Sequence, residues 1–317
     1  MAGVSLVTNI DAIVAPGLAG MPGTVSARLE GLRGQRGRRA PLEDAAALEE
    51  LVRAAAPAAD GIRFEPVDLA NPGAVYLQVI VPVAAGGAAR ARLVWPRGAG
   101  YPPAPDAPAR SGEAVPHAGE AVPLVLLFPD AGRPVRGWHH LARFSALGFA
   151  VLALDAGVVD PAPEGAAAAF PWLARQALAI AQAGRGLAGV DAARVCTWGE
   201  GVGGALAIVV AAALPGRVAK CAACGPYPLD DPALPAHVDA VCLAPRLRSE
   251  LLVGTPLLDA LASAEAQAAL VNRAGAGPCA ARQVVYPKFA HERINDFEDE
   301  VLEFLRFEYH GAGRNLV

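Results

Sequence analysis

The chain has 317 residues and a mass of 32.4 kDa, enough to bury a large core without disulfides or metals to staple it. Apolar residues make up 54% of it and charged residues 18%, which excludes global disorder. A net charge of −4 and a pI near 5.9 create no overall field for collecting nucleic acid or acidic membrane, so neither is expected as a partner.

The mean hydropathy of +0.33 invites a membrane reading, but the longest apolar run, Ala205 to Leu214, is about half of the roughly 20 residues a spanning helix needs. It reads as a buried core helix. The apolar stretch from Val4 to Leu18 lacks a basic region before it and contains Asp11, so no secretion signal is expected. Five cysteines, Cys196, Cys221, Cys224, Cys242 and Cys279, form an odd set without regular spacing, which fits a reduced, cytoplasmic protein. Cys221 and Cys224 have no second Cys or His pair at ligand spacing and read as small buried strand residues, with no metal site expected.

In chain order, residues 1–40 read as an arm ending in Gly34-Gln-Arg36-Gly-Arg38-Arg39, its charges in solvent. The remainder, 41–317, reads as a single domain in three stretches: 41–97, 98–122 and 123–317. A helix is expected from Pro41, with Glu43 and Asp44 in its first turn, ending near Pro57. Runs at Ile62–Leu69, Val75–Val81 and Ala89–Trp95, separated by Asn71-Pro72-Gly73 and Gly86-Gly87, predict an antiparallel meander. The proline-crowded stretch 98–122, which contains His117, reads as a surface loop.

From Pro123 short apolar strands alternate with helices. Strands are expected at Leu124–Phe128, Ala150–Leu154, Arg194–Trp198, Val218–Ala222, Leu251–Gly254 and Gln283–Tyr286. Helices are expected near Gly137–Ala146, Trp172–Gln182, Gly203–Leu214, Ser263–Arg273 and Asn295–Phe307. This pattern predicts an α/β protein with a mostly parallel sheet covered on both faces. In such a sheet the chemistry gathers beyond the carboxyl ends of the strands.

The informative turn is Gly199-Glu200-Gly201-Val202-Gly203-Gly204. One reading is a dinucleotide fingerprint through Gly199, Gly201 and Gly204, but the next strand ends without an acidic residue for the ribose. The other is a hydrolase elbow, in which small residues flank a nucleophile on a tight strand-to-helix turn. With Gly199 and Gly203 in the small positions, the nucleophile position falls on Gly201.

Four segments in order resemble the acetylxylan esterase and cephalosporin-C deacetylase family of carbohydrate esterases. They are Phe64-Glu-Pro-Val-Asp68; Phe128-Pro-Asp-Ala131 with Gly137-Trp138, similar to F-H-G-Y…D-W; Arg194-Val195 with Gly199-x-Gly201-x-Gly203-Gly204, similar to R-V…G-x-S-Q-G-G; and Tyr286-Pro287 with His291-Glu292, similar to Y-P…H-E. The likeness spans about Phe64 to Phe307 and implies an α/β-hydrolase fold, antiparallel N-terminal strands and carbohydrate deacetylase chemistry without a cofactor. By the same resemblance His291 stands at the base position, the acid position falls on Leu257 with Asp259, the acid candidate, two residues on, and Ala131, Val202 and Trp138 stand at the oxyanion hole and pocket.

The departures fall in the site. Gly201 replaces the serine and Val202 the glutamine. Pro129 and Asp130 replace the H-G pair, placing a carboxylate near a developing oxyanion. Asp155-Ala-Gly157 replaces an arginine-glycine-glutamine motif. Cys196, Ser145 and Ser263 lie where no substitute nucleophile is expected, and His139 and His140 read as solvent-facing. The expected function is therefore a pseudo-esterase that binds a small acylated or sugar-like ligand or acts structurally, with a homo-oligomer left open. The alternative is an active esterase in which His291 activates water directly.

Overall fold

A computed structural model describes residues 23–58, 61–97, 121–157 and 162–307. Most of the stretch 98–122, His117 included, and the first half of the arm lie outside the described residues. The described strands form one nine-stranded sheet, antiparallel at one edge and parallel through the rest.

The strands β1 (Arg63–Pro66), β2 (Ala74–Pro82) and β3 (Ala88–Pro96) are the expected meander, and β3 continues antiparallel onto β5 (Ala150–Leu154). From β5 outward every pairing is parallel, through β4 (Val122–Phe128), β6 (Val190–Glu200), β7 (Lys220–Cys224), β8 (Glu250–Pro256) and β9 (Ala281–Tyr286). In β4, Leu124, Leu126 and Phe128 enter one apolar cluster while Val125 and Leu127 enter another. A strand with no polar alternation is thus buried on both faces, as its composition requires.

One face is covered by α2 (Ala46–Ala54), α4 (Pro163–Arg185), α5 (Val202–Ala213), the short α6 (Ala240–Leu243) and α7 (Ala264–Gly275), the other by α3 (Trp138–Ala146) and α8 (Asn295–Leu305). Helix α5 is buried from Val202 to Ala212, the core helix its uniform apolarity predicts. No helix among the described residues is long and apolar enough to cross a membrane. All five cysteines are buried and unpaired, with Cys221 and Cys224 inside β7.

Several boundaries differ from the expectations, each for a local reason. Helix α2 starts at Ala46 rather than Pro41 because the Asp44 carboxylate accepts the Ala46 N–H at 2.9 Å, a side-chain bond that competes with earlier helical turns. Helix α4 begins at Pro163 rather than near the expected Trp172 and carries Pro171 in its interior. The arm is not wholly solvated. Helix α1 (Gly23–Arg33) buries Leu29 and Leu32 against Leu257, Ala268 and Val285. Arg39 donates to the buried Asp239 at 2.8 Å, and the backbone N–H groups of Arg38 and Arg39 donate to Asp230. The buried Asp239 carboxylate draws in the Arg39 charge that the sequence alone leaves in water, whereas the Arg38 side chain stays exposed as expected.

The chain leaves β4 for β5 on one side, while β6 lies on the other. This reversal of strand order opens a crevice at the carboxyl ends of β4 and β6. The loop after β4 and the turn after β6 meet there.

Candidate active site

The turn from β6 into α5 is built for close approach. A Cβ on Gly199 would overlap the Gly203 carbonyl, and one on Gly203 would overlap the Phe128 carbonyl. Both positions therefore need glycine so that β6, β4 and the start of α5 can pack. Gly201 sits at the apex with φ 54° and ψ −123°, and its backbone is fully engaged: its N–H donates to Cys224 O at 2.9 Å and its carbonyl accepts from Tyr227 N at 3.2 Å.

The space above Gly201 is filled by Asp130, on the loop after β4. A Cβ on Gly201 would collide with Oδ1 and Cγ of Asp130. Asp130 Oδ1 accepts the N–H of Ala131 at 2.8 Å and that of Val202 at 2.9 Å. Its Oδ2 lies 2.9 Å from His291 Nε2, on the loop between β9 and α8. His291 Nδ1 in turn lies 2.8 Å from Asp259 Oδ2, after β8. Asp259 Oδ1 accepts from Leu261 N and Ala262 N at 2.8 and 3.0 Å. The array is therefore carboxylate, imidazole, carboxylate, with both acid side chains buried at 3% and 0% exposure.

The electrostatics follow from that sandwich. Burial on its own would lower the pKa of His291, but hydrogen bonds and attraction from Asp130 and Asp259 outweigh it and raise the value to about 9. At neutral pH the ring is an imidazolium donating from both nitrogens. Burial pushes the Asp259 carboxyl up, but the His291 bond and two backbone donors hold it below the usual carboxylate range. The Cys224 thiol lines the same small cavity. Burial, with Glu200, Asp259 and Asp130 near it, pushes that thiol well above its ordinary value, so it stays protonated and unreactive.

A second charged cluster braces the two turns. Arg136, on the loop that carries Asp130, lies 2.6 Å from Glu200 beside the elbow and 2.6 Å from Glu298 on α8. His140 lies 3.0 Å from Glu298. His139 is exposed as expected, but His140 is not. Its expected solvent position is corrected by the buried Glu298, which draws it inward.

Two cavities of about 10 Å³ each adjoin Asp130. One is polar and includes Gly201, Asp259, His291 and Arg133; the other is lined mainly by apolar residues, among them Leu154, Leu173, Val202 and Leu206. Each has room for about one water. Among the described residues, no group of three His, Cys, Asp or Glu side chains is placed to hold a metal ion.

Of the residues singled out from sequence, His291, Gly201, Asp259 and the amides of Ala131 and Val202 converge on one point. Leu257, on which the ungapped resemblance places the acid position, is buried in the α1 cluster, and Asp259, two residues on, is the carboxylate that reaches the histidine. Trp138 is engaged elsewhere, its ring edge-on to Tyr76 at 5.8 Å and beneath Arg92. Ser263 caps α7 by accepting from Ala266 N, and Cys196 is buried in β6. The glycines of the dinucleotide reading are used in backbone packing, and the amide that opens α5 is already taken by Asp130. The residue not placed in advance is Asp130 at the apex. Its signal was a glycine and a side chain exchanged between two turns.

No protein-family model and no curated protein matches the sequence. Solved structures do. Acetyl xylan esterase 1 from Thermoanaerobacterium sp. JW/SL YS485 aligns over 87% of this chain and 97% of its own, with 19% identity and a TM-score of 0.68. Acetyl xylan esterase from Paenibacillus sp. R4 aligns over 87% and 98%, with 16% identity and a TM-score of 0.70. A dienelactone hydrolase from Anabaena variabilis ATCC 29413 aligns over 73% and 97%, with 18% identity and a TM-score of 0.51. The chain has an α/β-hydrolase fold of the acetylxylan-esterase-like kind, as the four segments implied.

Proposed function

We propose that this chain is a pseudo-esterase. On an acetylxylan-esterase-like scaffold it has given up acyl transfer by serine, and Asp130 serves as the resident ligand of the site. The observation that carries this reading is the Asp130 carboxylate lodged above Gly201. Serine hydrolysis needs a hydroxyl beside a neutral imidazole and two amides free to stabilise an oxyanion. Here no hydroxyl projects from the apex, both amides already hold Oδ1, and Nε2 already serves Oδ2.

The same facts weigh against His291 activating water. A general base works best with a pKa near the operating pH, whereas this ring is held at about 9. An acylated sugar does not fit beside Asp130 in cavities of about 10 Å³, since small-molecule sites run to roughly 300 Å³ or more. A structural role, or binding of something much smaller, is favoured. Buried, unpaired cysteines support a reducing, cytoplasmic setting.

The test is hydrolysis of p-nitrophenyl acetate by purified protein. The expected result is a rate at background that does not change in His291→Ala. Turnover at serine-esterase level, abolished by His291→Ala, would overturn the reading.

A further inference from the structure

We infer that the N-terminal arm, from Gly23 to Leu42, is a clasp: by holding the loops after β7 and β8 from outside, it sets the spacing of the Asp130–His291–Asp259 array. How the array is held is a separate matter from whether the chain hydrolyses esters.

The arm grips the body in turn along its length. Its helix, α1, lays Leu29 and Leu32 against Leu257 on the loop after β8, Val285 near the end of β9, and Ala264 and Ala268 of α7. The end of that helix is tied down, because Asn272 Nδ2 on α7 lies 3.2 Å from Leu32 O and Arg33 O and 2.9 Å from Gln35 O. Further on, Asp230 accepts the N–H groups of Arg38 and Arg39 at 2.7 and 2.9 Å, while the Arg39 guanidinium donates to Asp231 O at 2.7 Å and to Asp239 at 2.8 Å. The N–H of Leu42 then donates to Cys242 O at 2.9 Å.

These grips bear on the segments that carry the array. Leu257 stands two residues before Asp259, and bonds from Leu257 N to Tyr286 O and from Leu258 N to Phe289 O, both 3.0 Å, couple that loop to the one bearing His291. Asp230 stands three residues after Tyr227, whose N–H donates to the Gly201 carbonyl and whose ring meets His291 edge-on, 5.1 Å between centroids. Asp230 itself holds a positive φ of 52°, a conformation that a non-glycine residue keeps only where its surroundings over-determine it. The two arm amides, with its own N–H on Asp239 Oδ1 at 3.2 Å, do so here.

What the clasp encloses explains its use. Loops at strand ends open more readily than the strands themselves, and these must keep an imidazole 2.8 and 2.9 Å from two buried carboxylates. If the Asp259 loop drifts, water enters, the contact with His291 lengthens, and the ring holds its proton less tightly. The titratable groups around His291 are Asp130 and Arg133 from the loop after β4, Glu200 from the elbow, Cys224 from β7, Asp259 from the loop after β8, and Glu292 beside it. Of these, Asp259 is the one whose loop α1 packs against.

The experiment titrates His291 in the full chain by NMR of its imidazole signals. The variants are Leu32→Ala, which empties the centre of the α1 contact, and Asn272→Ala, a milder change that unties the end of α1. Val79→Ala, buried in β2 on the far side of the sheet, controls for loss of core packing in general. The His291 pKa is expected to fall by about one unit or more in the arm variants and to keep its wild-type value in Val79→Ala. Should Leu32→Ala not fold, Asn272→Ala alone decides. A His291 titration identical to wild type in every folded arm variant, or one that falls equally in Val79→Ala, would overturn the inference. The p-nitrophenyl acetate assay reads the pseudo-esterase proposal separately, so failure of either is distinguishable from failure of the other.

Discussion

The turn after β6 and the loop after β4 face each other across the crevice and present opposite features. The β6 turn keeps its backbone: Gly201 holds a positive φ of 54°, and the Val202 amide still points into the site. What it lacks is a side chain. The β4 loop presents its amide at Ala131 together with a side chain at Asp130, where the family resembled by the sequence has glycine. The two changes fit together, because the carboxylate takes the volume that an elbow Cβ would fill. Glycine at 201 is therefore more than relief of backbone strain: it makes room for Asp130. The comparison shows a turn without a side chain set against a buried anion with three hydrogen-bonding partners.

The comparison can be broken first at Gly201. Adding a methyl in Gly201→Ala forces the collision with Asp130 and imposes the strained φ, together costing about 4 kcal/mol. In an Asp130→Gly background only the backbone strain remains, about 1–3 kcal/mol. Chemical denaturation of the four proteins in this cycle measures the coupling. Equal costs in both backgrounds would mean that the two positions are independent.

A smaller effect sharpens the role of the histidine. Its pKa is raised from 6.5 to about 9 in the folded protein. The folded state therefore binds the proton more tightly, and the resulting stability is full below pH 6.5 and lost as pH rises through 9. The loss is at most about 3 kcal/mol. Unfolding free energies at pH 6.5 and 9.5 should fall by that order in wild type and by clearly less in Asp130→Asn, which keeps only Asp259 as an anionic partner. An identical fall in both would remove Asp130 from the account.

How much of this was legible in the sequence depends on how local each feature is. The strands of the sheet were readable because continuous apolar runs such as Leu124–Phe128 need both faces covered, and the positions of Gly199 and Gly203 located the elbow. Features set by distant partners were not. His140 is drawn in by Glu298, and Arg39 by Asp239. Asp259 and Leu257, two residues apart in one loop, separate only when β8 and β9 bring His291 alongside. Asp130 was visible as a carboxylate near an oxyanion hole. Its place at the apex depends on loops after β4, β6, β8 and β9 converging, which no single segment encodes.

The central claim is that Asp130 and Gly201 are two halves of one exchange. It is tested most directly by reversing both, measuring p-nitrophenyl acetate hydrolysis by Asp130→Gly, Gly201→Ser and the double variant. With His291 and Asp259 already in line, the double variant should exceed wild type and each single variant by at least about a hundredfold, and the gain should vanish on His291→Ala. A folded double variant no more active than wild type, or Gly201→Ser alone matching the double, would contradict the account.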